Sequence, residues 1–110
     1  MEINGKHYVC NLDFAMDLIR GKWKAVILCH LKDDPTRFSD LVKRTPGISE
    51  KVLSEKLREL ETDELIIREV RNELPPHVVY RLTPTGKQLF DILLQLQEWS
   101  KNYLQEKRVE

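Results

Sequence analysis

Lys51, Ser54 and Arg58 recur at intervals of three and four residues, so on a helix they share one face. An ammonium, a small hydroxyl and a guanidinium suit phosphates, close approach and guanine edges in a nucleic-acid groove. Glu55 lies in the same stripe, and from the wheel alone a solvated face of mixed charge fits equally well. Leu53, Leu57 and Leu60 form a narrow stripe on the opposite side, which must be buried. Cys10 and Cys29 are too few for a disulfide scaffold and lack CxxC spacing, which predicts a reducing, cytoplasmic setting. His7, His30 and His77 fall on separate elements, without HExxH, a Gly-rich phosphate loop or a carboxylate pair beside a base. Catalysis and a cofactor are therefore not expected. A metal-responsive reading would draw on His7-x-x-Cys10 and Cys29-His30. Adjacent residues on a helix diverge whereas zinc needs convergent ligands, so no metal site is expected either.

The elements that must present the Lys51 row are marked by local signals. Ser49 caps a helix running to about Glu61, and Pro46-Gly47 before it supplies a fixed φ and then a φ > 0 residue for a tight turn. Upstream, Ser39 is read as the cap of a short helix with Leu41 and Val42 inside and Phe38 packed at its entrance. Two helices around a Pro-Gly turn make a helix-turn-helix. Before them, Leu12–Ile19 reads as a short helix broken at Gly21. A second helix starts near Trp23, with Trp23, Val26, Ile27 and Leu31 on one side, and Asp33-Asp34-Pro35 ends it.

After Glu61-Thr62-Asp63-Glu64 the apolar period changes from helical to alternating. Ile66–Arg71 and Val78–Leu82 read as two strands around a loop stiffened by Pro75-Pro76, and a hairpin directly after a helix-turn-helix is a wing. Thr83-Pro84 then opens a helix to about Lys107, about 24 residues and about 35 Å long. Its apolar residues Leu89, Phe90, Ile92, Leu93, Leu94, Leu96, Trp99, Tyr103 and Leu104 cover more than one face, so one face can pack inward and leave another for a second copy. The fold class is mainly α with a small β-hairpin wing (α+β).

A chain of 110 residues with 41% hydrophobic content supports one core. Residues 1–9 read as a flexible lead-in and 10–110 as a single domain. No run approaches the roughly 18–20 apolar residues that span a bilayer, and no charged-apolar-small leader opens the chain, so no membrane association is expected.

The ordered set Gly21-Lys22-Trp23, Arg37-Phe38-Ser39-x-Leu41, Pro46-Gly47-Ile48-Ser49, Leu53, Leu57, Glu59-Leu60, Pro75-Pro76-x-Val78-x-Tyr80-x-Leu82-Thr83, Gly86 and Trp99 resembles the HxlR-type winged helix-turn-helix transcriptional regulators of prokaryotes, relatives of the MarR group. The match runs from about Cys10 to Tyr103. The resemblance implies a sequence-specific regulator that binds double-stranded DNA as a homodimer on a pseudo-palindromic operator. It implies DNA contacts from Arg37, Ser49, Lys51, Ser54, Arg58 and His77, which occupies the wing-tip position where relatives carry Arg or Lys. The N- and C-terminal helices would form the dimer interface, through Leu12, Leu89, Leu93, Leu96, Trp99 and Tyr103. Cys10, eleven residues before Gly21, occupies the place of a cysteine that senses oxidants or electrophiles in some members. An oxidant or small-molecule effector is one reading of it, and packing against the dimer helices is the other. Asn11 stands where relatives place Pro after this cysteine, and Glu64 where they place Gly. Cys29 reads as a packing residue. A winged helix serving only protein–protein contact remains an alternative, although it would not need the Lys51-Ser54-Arg58 row.

Eighteen basic residues balance eighteen acidic ones, and a zero total argues against a nucleic-acid partner until it is divided along the chain. Residues 35–60 hold Arg37, Lys43, Arg44, Lys51, Lys56 and Arg58 against Asp40, Glu50, Glu55 and Glu59, a net +2. The wing, with Arg68, Arg71 and Arg81 against Glu69 and Glu73, is +1, and Glu61, Asp63 and Glu64 cancel both. Modest, salt-sensitive non-specific binding follows, with specificity resting on a few side chains.

Overall fold

A leucine-lined helix, α4 (Glu50–Thr62), packs against a second helix and a strand of a small sheet in the computed structural model, which describes residues 1–32 and 34–107. The other elements in chain order are β1 (Glu2–Ile3), β2 (Lys6–His7), α1 (Asn11–Leu18), α2 (Lys24–Leu31), β3 (Thr36–Arg37), α3 (Phe38–Arg44), β4 (Ile66–Arg71), β5 (His77–Leu82) and α5 (Pro84–Glu106). Asp33, part of the stretch read as ending the second helix, and 108–110, the end of the domain range, lie outside the described residues. The architecture is a winged helix-turn-helix: helices around one core, with β5 pairing antiparallel to β4 and β3 in a three-stranded sheet of order β3-β5-β4.

The caps act as their residue types require. Ser49 Oγ accepts from the Val52 amide at 3.1 Å, and Thr83 Oγ1 accepts from the Gly86 amide at 2.9 Å with Pro84 in the first turn. Leu53, Leu57 and Leu60 are all buried, joined in the core by Ile27, Leu28, Leu31, Leu41, Leu65, Ile66, Tyr80 and Leu93. Leu28 falls off the side expected for α2. That helix sits centrally, against α3, α4, α5 and β5, so no single stripe describes it. No helix of the described residues is long and apolar enough to cross a membrane.

Four expectations need correction. The short helix begins at Phe38 with Arg37 as its N-cap residue, so Ser39 lies inside it and caps nothing. The two-residue β3 fixes that start, because its pairing of Thr36 with Tyr80 and Arg37 with Val79 holds the backbone extended up to Arg37. Residues 1–9, read as a flexible lead-in, carry regular structure. Glu2–Ile3 pairs with Lys6–His7, and Tyr8 is buried with its hydroxyl donating to Asp17 at 2.6 Å and its ring edge-on to Phe14. Finally, two residues assigned to a dimer interface face inward: Leu93 is 6% exposed in the protomer's own core and Leu89 packs against that core. An α5 docked along α2 uses that side, and it leaves Ile92, Leu94, Leu96, Trp99, Tyr103 and Leu104 exposed.

Candidate nucleic-acid interface

The reading face of α4 is built by its buried face. Because Leu53, Leu57 and Leu60 are drawn into the core, Lys51, Ser54, Glu55 and Arg58 point to solvent. Gly47, at φ 94°, supplies the left-handed residue of the turn between α3 and α4. Among the described residues the Ser49 hydroxyl meets no acceptor while its oxygen caps the helix, so its proton can go to a further one.

Ion pairing sorts the cations of this region. Among the described residues, the side chains of Arg37, Lys51, Ser54 and Arg58 carry no hydrogen bond or ion pair. Lys56 is paired with Glu59 at 3.3 Å, and Lys24 of α2 reaches the same carboxylate at 3.4 Å. Arg44 is turned inward, donating to the His30 carbonyl at 3.0 Å and to Thr36 Oγ1 at 3.2 Å. Among the described residues of the motif, the cations with no hydrogen bond or ion pair are therefore Lys51 and Arg58 on the outward row of α4, Arg37 at the β3–α3 corner and Lys43 of α3. Burial works against the Glu59 charge, but Lys56 and Lys24 outweigh it and hold its carboxyl below the ordinary range.

The wing divides in the same way. Glu69 takes both Arg81, in a short charge-assisted hydrogen bond, and Arg71 at 3.7 Å, and these two arginines hold its carboxyl below the usual range despite partial desolvation. Arg68 is exposed and unpaired among the described residues. His77 opens β5 rather than standing at the tip. Its imidazole is largely covered, with Nδ1 3.4 Å from the Pro75 carbonyl and Nε2 3.8 Å from the Glu73 carboxylate. A ring turned toward a carboxylate is poorly placed to meet a phosphate, so Arg68 is the wing cation that sequence reasoning undervalued. Strand alternation places it opposite Tyr80, and only the pairing of Arg71 and Arg81 with Glu69 singles it out.

Cys10 is exposed at the N-cap position of α1, and its thiol makes no capping bond. Asp13 accepts from the Val9 amide at 2.9 Å beside it. Cys29 is half-buried between α2 and α5, where burial pushes its thiol pKa up, away from the reactive thiolate. Next to it His30 shares a 2.9 Å hydrogen bond with buried Thr45, and burial, then Arg44 and Lys32, lower its pKa. Among the described residues no group of His, Cys, Asp and Glu could hold a metal ion, so His7, Cys10, Cys29 and His30 are not brought together.

The family model described as HxlR-like helix-turn-helix matches residues 18–108. An HTH-type transcriptional regulator of Methanothermobacter thermautotrophicus is 45% identical over 102 residues, which cover 93% of this chain and 78% of that one. The redox regulator HypR in its reduced form is similar in structure, with a TM-score of 0.79 and 39% identity over 84% of this chain and 92% of its own. Diamide-treated YodB from B. subtilis gives a TM-score of 0.71 and 35% identity over 88% of this chain and 97% of its own. With its capped helix-turn-helix, its wing and its long closing helix, the chain belongs to the HxlR-like helix-turn-helix family and is a transcriptional regulator of that type.

Proposed function

We propose that this chain is a homodimer that reads a pseudo-palindromic operator in double-stranded DNA, with each α4 in a major groove and each wing beside it. One observation carries the reading. Lys51, Ser54 and Arg58 form a solvent-facing row with no partner among the described residues, on a helix whose opposite face is fully buried. Unpaired cations release counterions when they meet phosphates, and a free guanidinium can grip a guanine edge in two places. Arg37 and Ser49 supply backbone contacts at the corners of the motif, and Arg68 extends the surface along the wing.

The second copy is supported by α5, where Trp99 is 60% exposed and stacks on Tyr103 at 5.1 Å, alongside exposed Leu96 and Leu104. Leu12 of α1 is 68% exposed and belongs to the same proposed interface. Apolar faces of this kind are stabilised by burial against a copy of themselves. Such a regulator acts on DNA in the cytoplasm and needs no cofactor.

Cys10 is the proposed point of modulation. Its thiol is exposed and unengaged at the start of α1, and the similar proteins HypR and YodB are a redox regulator and a protein described after diamide treatment. Oxidation or alkylation there would alter how α1 packs. A metal-responsive mechanism has no comparable support.

A mobility-shift assay on the DNA upstream of the protein's own gene, beside sedimentation of the free protein, tests the reading. A dimer with a specific shift at low salt is expected. A folded dimer with no specific shift would overturn DNA recognition in favour of a protein-interaction role, and a monomer would overturn the symmetric operator. Diamide or a quinone should release DNA from the wild type and not from Cys10→Ser; equal release would remove Cys10 as the sensor.

A further inference from the structure

The eight-residue helix α1 contains no buried residue, so little holds it in place. At its C-terminal end Leu18 and Ile19 lean on the edge of the core. Towards the N-terminal hairpin, Asp17 accepts from Tyr8 at 2.6 Å and from Lys6 at 3.3 Å. The Asp17 bonds stay between α1 and the hairpin, and the core contacts of Leu18 and Ile19 are apolar and undirected. Among the described residues, one side chain makes a polar link from α1 to the helix that faces DNA. Lys24, in the first turn of α2 and only 14% exposed, donates through Nζ to the Leu18 carbonyl at 3.4 Å and meets the Glu59 carboxylate of α4 at 3.4 Å. Glu59 directly follows Arg58, and Lys24, Arg58 and Glu59 line one shallow hollow.

We propose that Lys24 is the positioning residue that ties α1, and through it the state of Cys10, to the pose of α4. The inference rests on the reading of Cys10 as the point of modulation and names how that modulation arrives at the DNA-facing helix. A two-turn helix moves as a rod, so a displacement at Cys10 shifts the Leu18 carbonyl at the other end. The Lys24 ammonium follows the carbonyl and pulls on Glu59, which shifts the Arg58 end of α4, whereas a chain without that ammonium keeps α4 in its resting pose. A mostly covered ammonium serves better in this role than a solvent-exposed one, because its attraction to a carboxylate is less screened. Lys56, paired with Glu59 from within α4, belongs to the same helix and cannot carry motion from outside it.

The test uses the full chain with Cys29→Ser, so that Cys10 is the sole thiol, and N-ethylmaleimide as the modifier. The thiol adds across the maleimide double bond: sulfur bonds one ring carbon and the thiol proton ends on the other. Operator affinity is measured by fluorescence anisotropy before and after alkylation, and folding is checked by thermal unfolding. Alkylation should weaken the parent by about tenfold or more, within the range usual for coupled sites. Lys24→Met keeps the stem and removes the charge. It should bind within about threefold of the parent before alkylation and change less than about threefold after it, and Lys24→Arg should restore the response. Glu59→Gln, which breaks the other end of the tie, should behave like Lys24→Met and covers the case in which that variant does not fold. A responsive parent with equally responsive Lys24→Met and Glu59→Gln overturns this inference alone. A parent that binds equally before and after alkylation overturns the Cys10 reading, and the tie with it.

Discussion

Gly86 lies so close to Leu65 that a Cβ on it would stand 1.9 Å from the Leu65 carbonyl oxygen. That carbonyl also accepts from the Thr83 amide at 3.1 Å, and the Thr83 hydroxyl donates to the Glu64 carbonyl at 2.7 Å. The first turn of α5 is thus pressed onto the corner where α4 gives way to the wing. A methyl group there meets backbone, which cannot rotate aside. Gly86→Ala should therefore cost about 3 kcal/mol or more, read as a lowered midpoint in urea unfolding. A midpoint within error of the wild type would show that the corner yields.

Glu64, in the same corner, holds φ at 59°. A side chain in the left-handed region costs roughly 1–2 kcal/mol relative to glycine. Glu64→Gly should raise stability by about 1 kcal/mol, whereas Glu64→Ala, which keeps a Cβ, should not. Equal stabilisation by both would assign the effect to the lost charge beside Glu61 and Asp63.

Arg58 and Lys51 should fail differently when shortened. A guanidinium gripping a guanine edge discriminates between sequences, so Arg58→Ala should weaken specific binding by about 1–3 kcal/mol and leave non-specific binding nearly unchanged. Lys51→Ala should weaken binding to all sequences and flatten the dependence of log K on log salt by about one ion. Anisotropy titrations over a range of KCl on operator and scrambled DNA separate the two.

His30 gives stability a pH dependence. Burial, then Arg44 and Lys32, disfavour the imidazolium in the folded chain and move its pKa below the ordinary 6.5. As pH falls through that value the unfolded chain gains a proton that the folded chain does not, so stability is lost below about 6.5. The carboxyls of Asp17, Glu59 and Glu69, also held below their ordinary values of 3.8 and 4.5, lose their contribution only at lower pH. Unfolding midpoints at pH 7.5 and 5.5 should differ in the wild type and differ less in His30→Gln. Equal slopes would assign the loss to other groups.

What the sequence determined by itself was everything signalled within a few residues. The Ser49 and Thr83 caps, the Pro46-Gly47 turn, the leucine stripe of α4 and the alternation of the wing strands are short-range preferences of backbone and side chain. They carry the winged helix-turn-helix and place Lys51, Ser54 and Arg58 outward. The tertiary structure decided which partner each group takes. A two-residue strand such as β3 leaves no periodic trace, and it exists because Tyr80 and Val79 offer an edge. That edge, rather than Ser39, starts α3. In α5 the apolar residues look alike along the chain, and docking against α2 alone separates buried Leu93 from exposed Leu96. Likewise, only the strand register brings Arg81 to Glu69, which Arg71 reaches from two residues along the same strand, and that leaves Arg68 without a partner among the described residues. Lys24 gains its place between Leu18 and Glu59 only when three helices meet. Pairs such as Lys56–Glu59 lie at helical spacing and are legible in the sequence, whereas Lys24–Glu59 and Arg81–Glu69 join remote segments and depend on packing that sequence spacing does not encode.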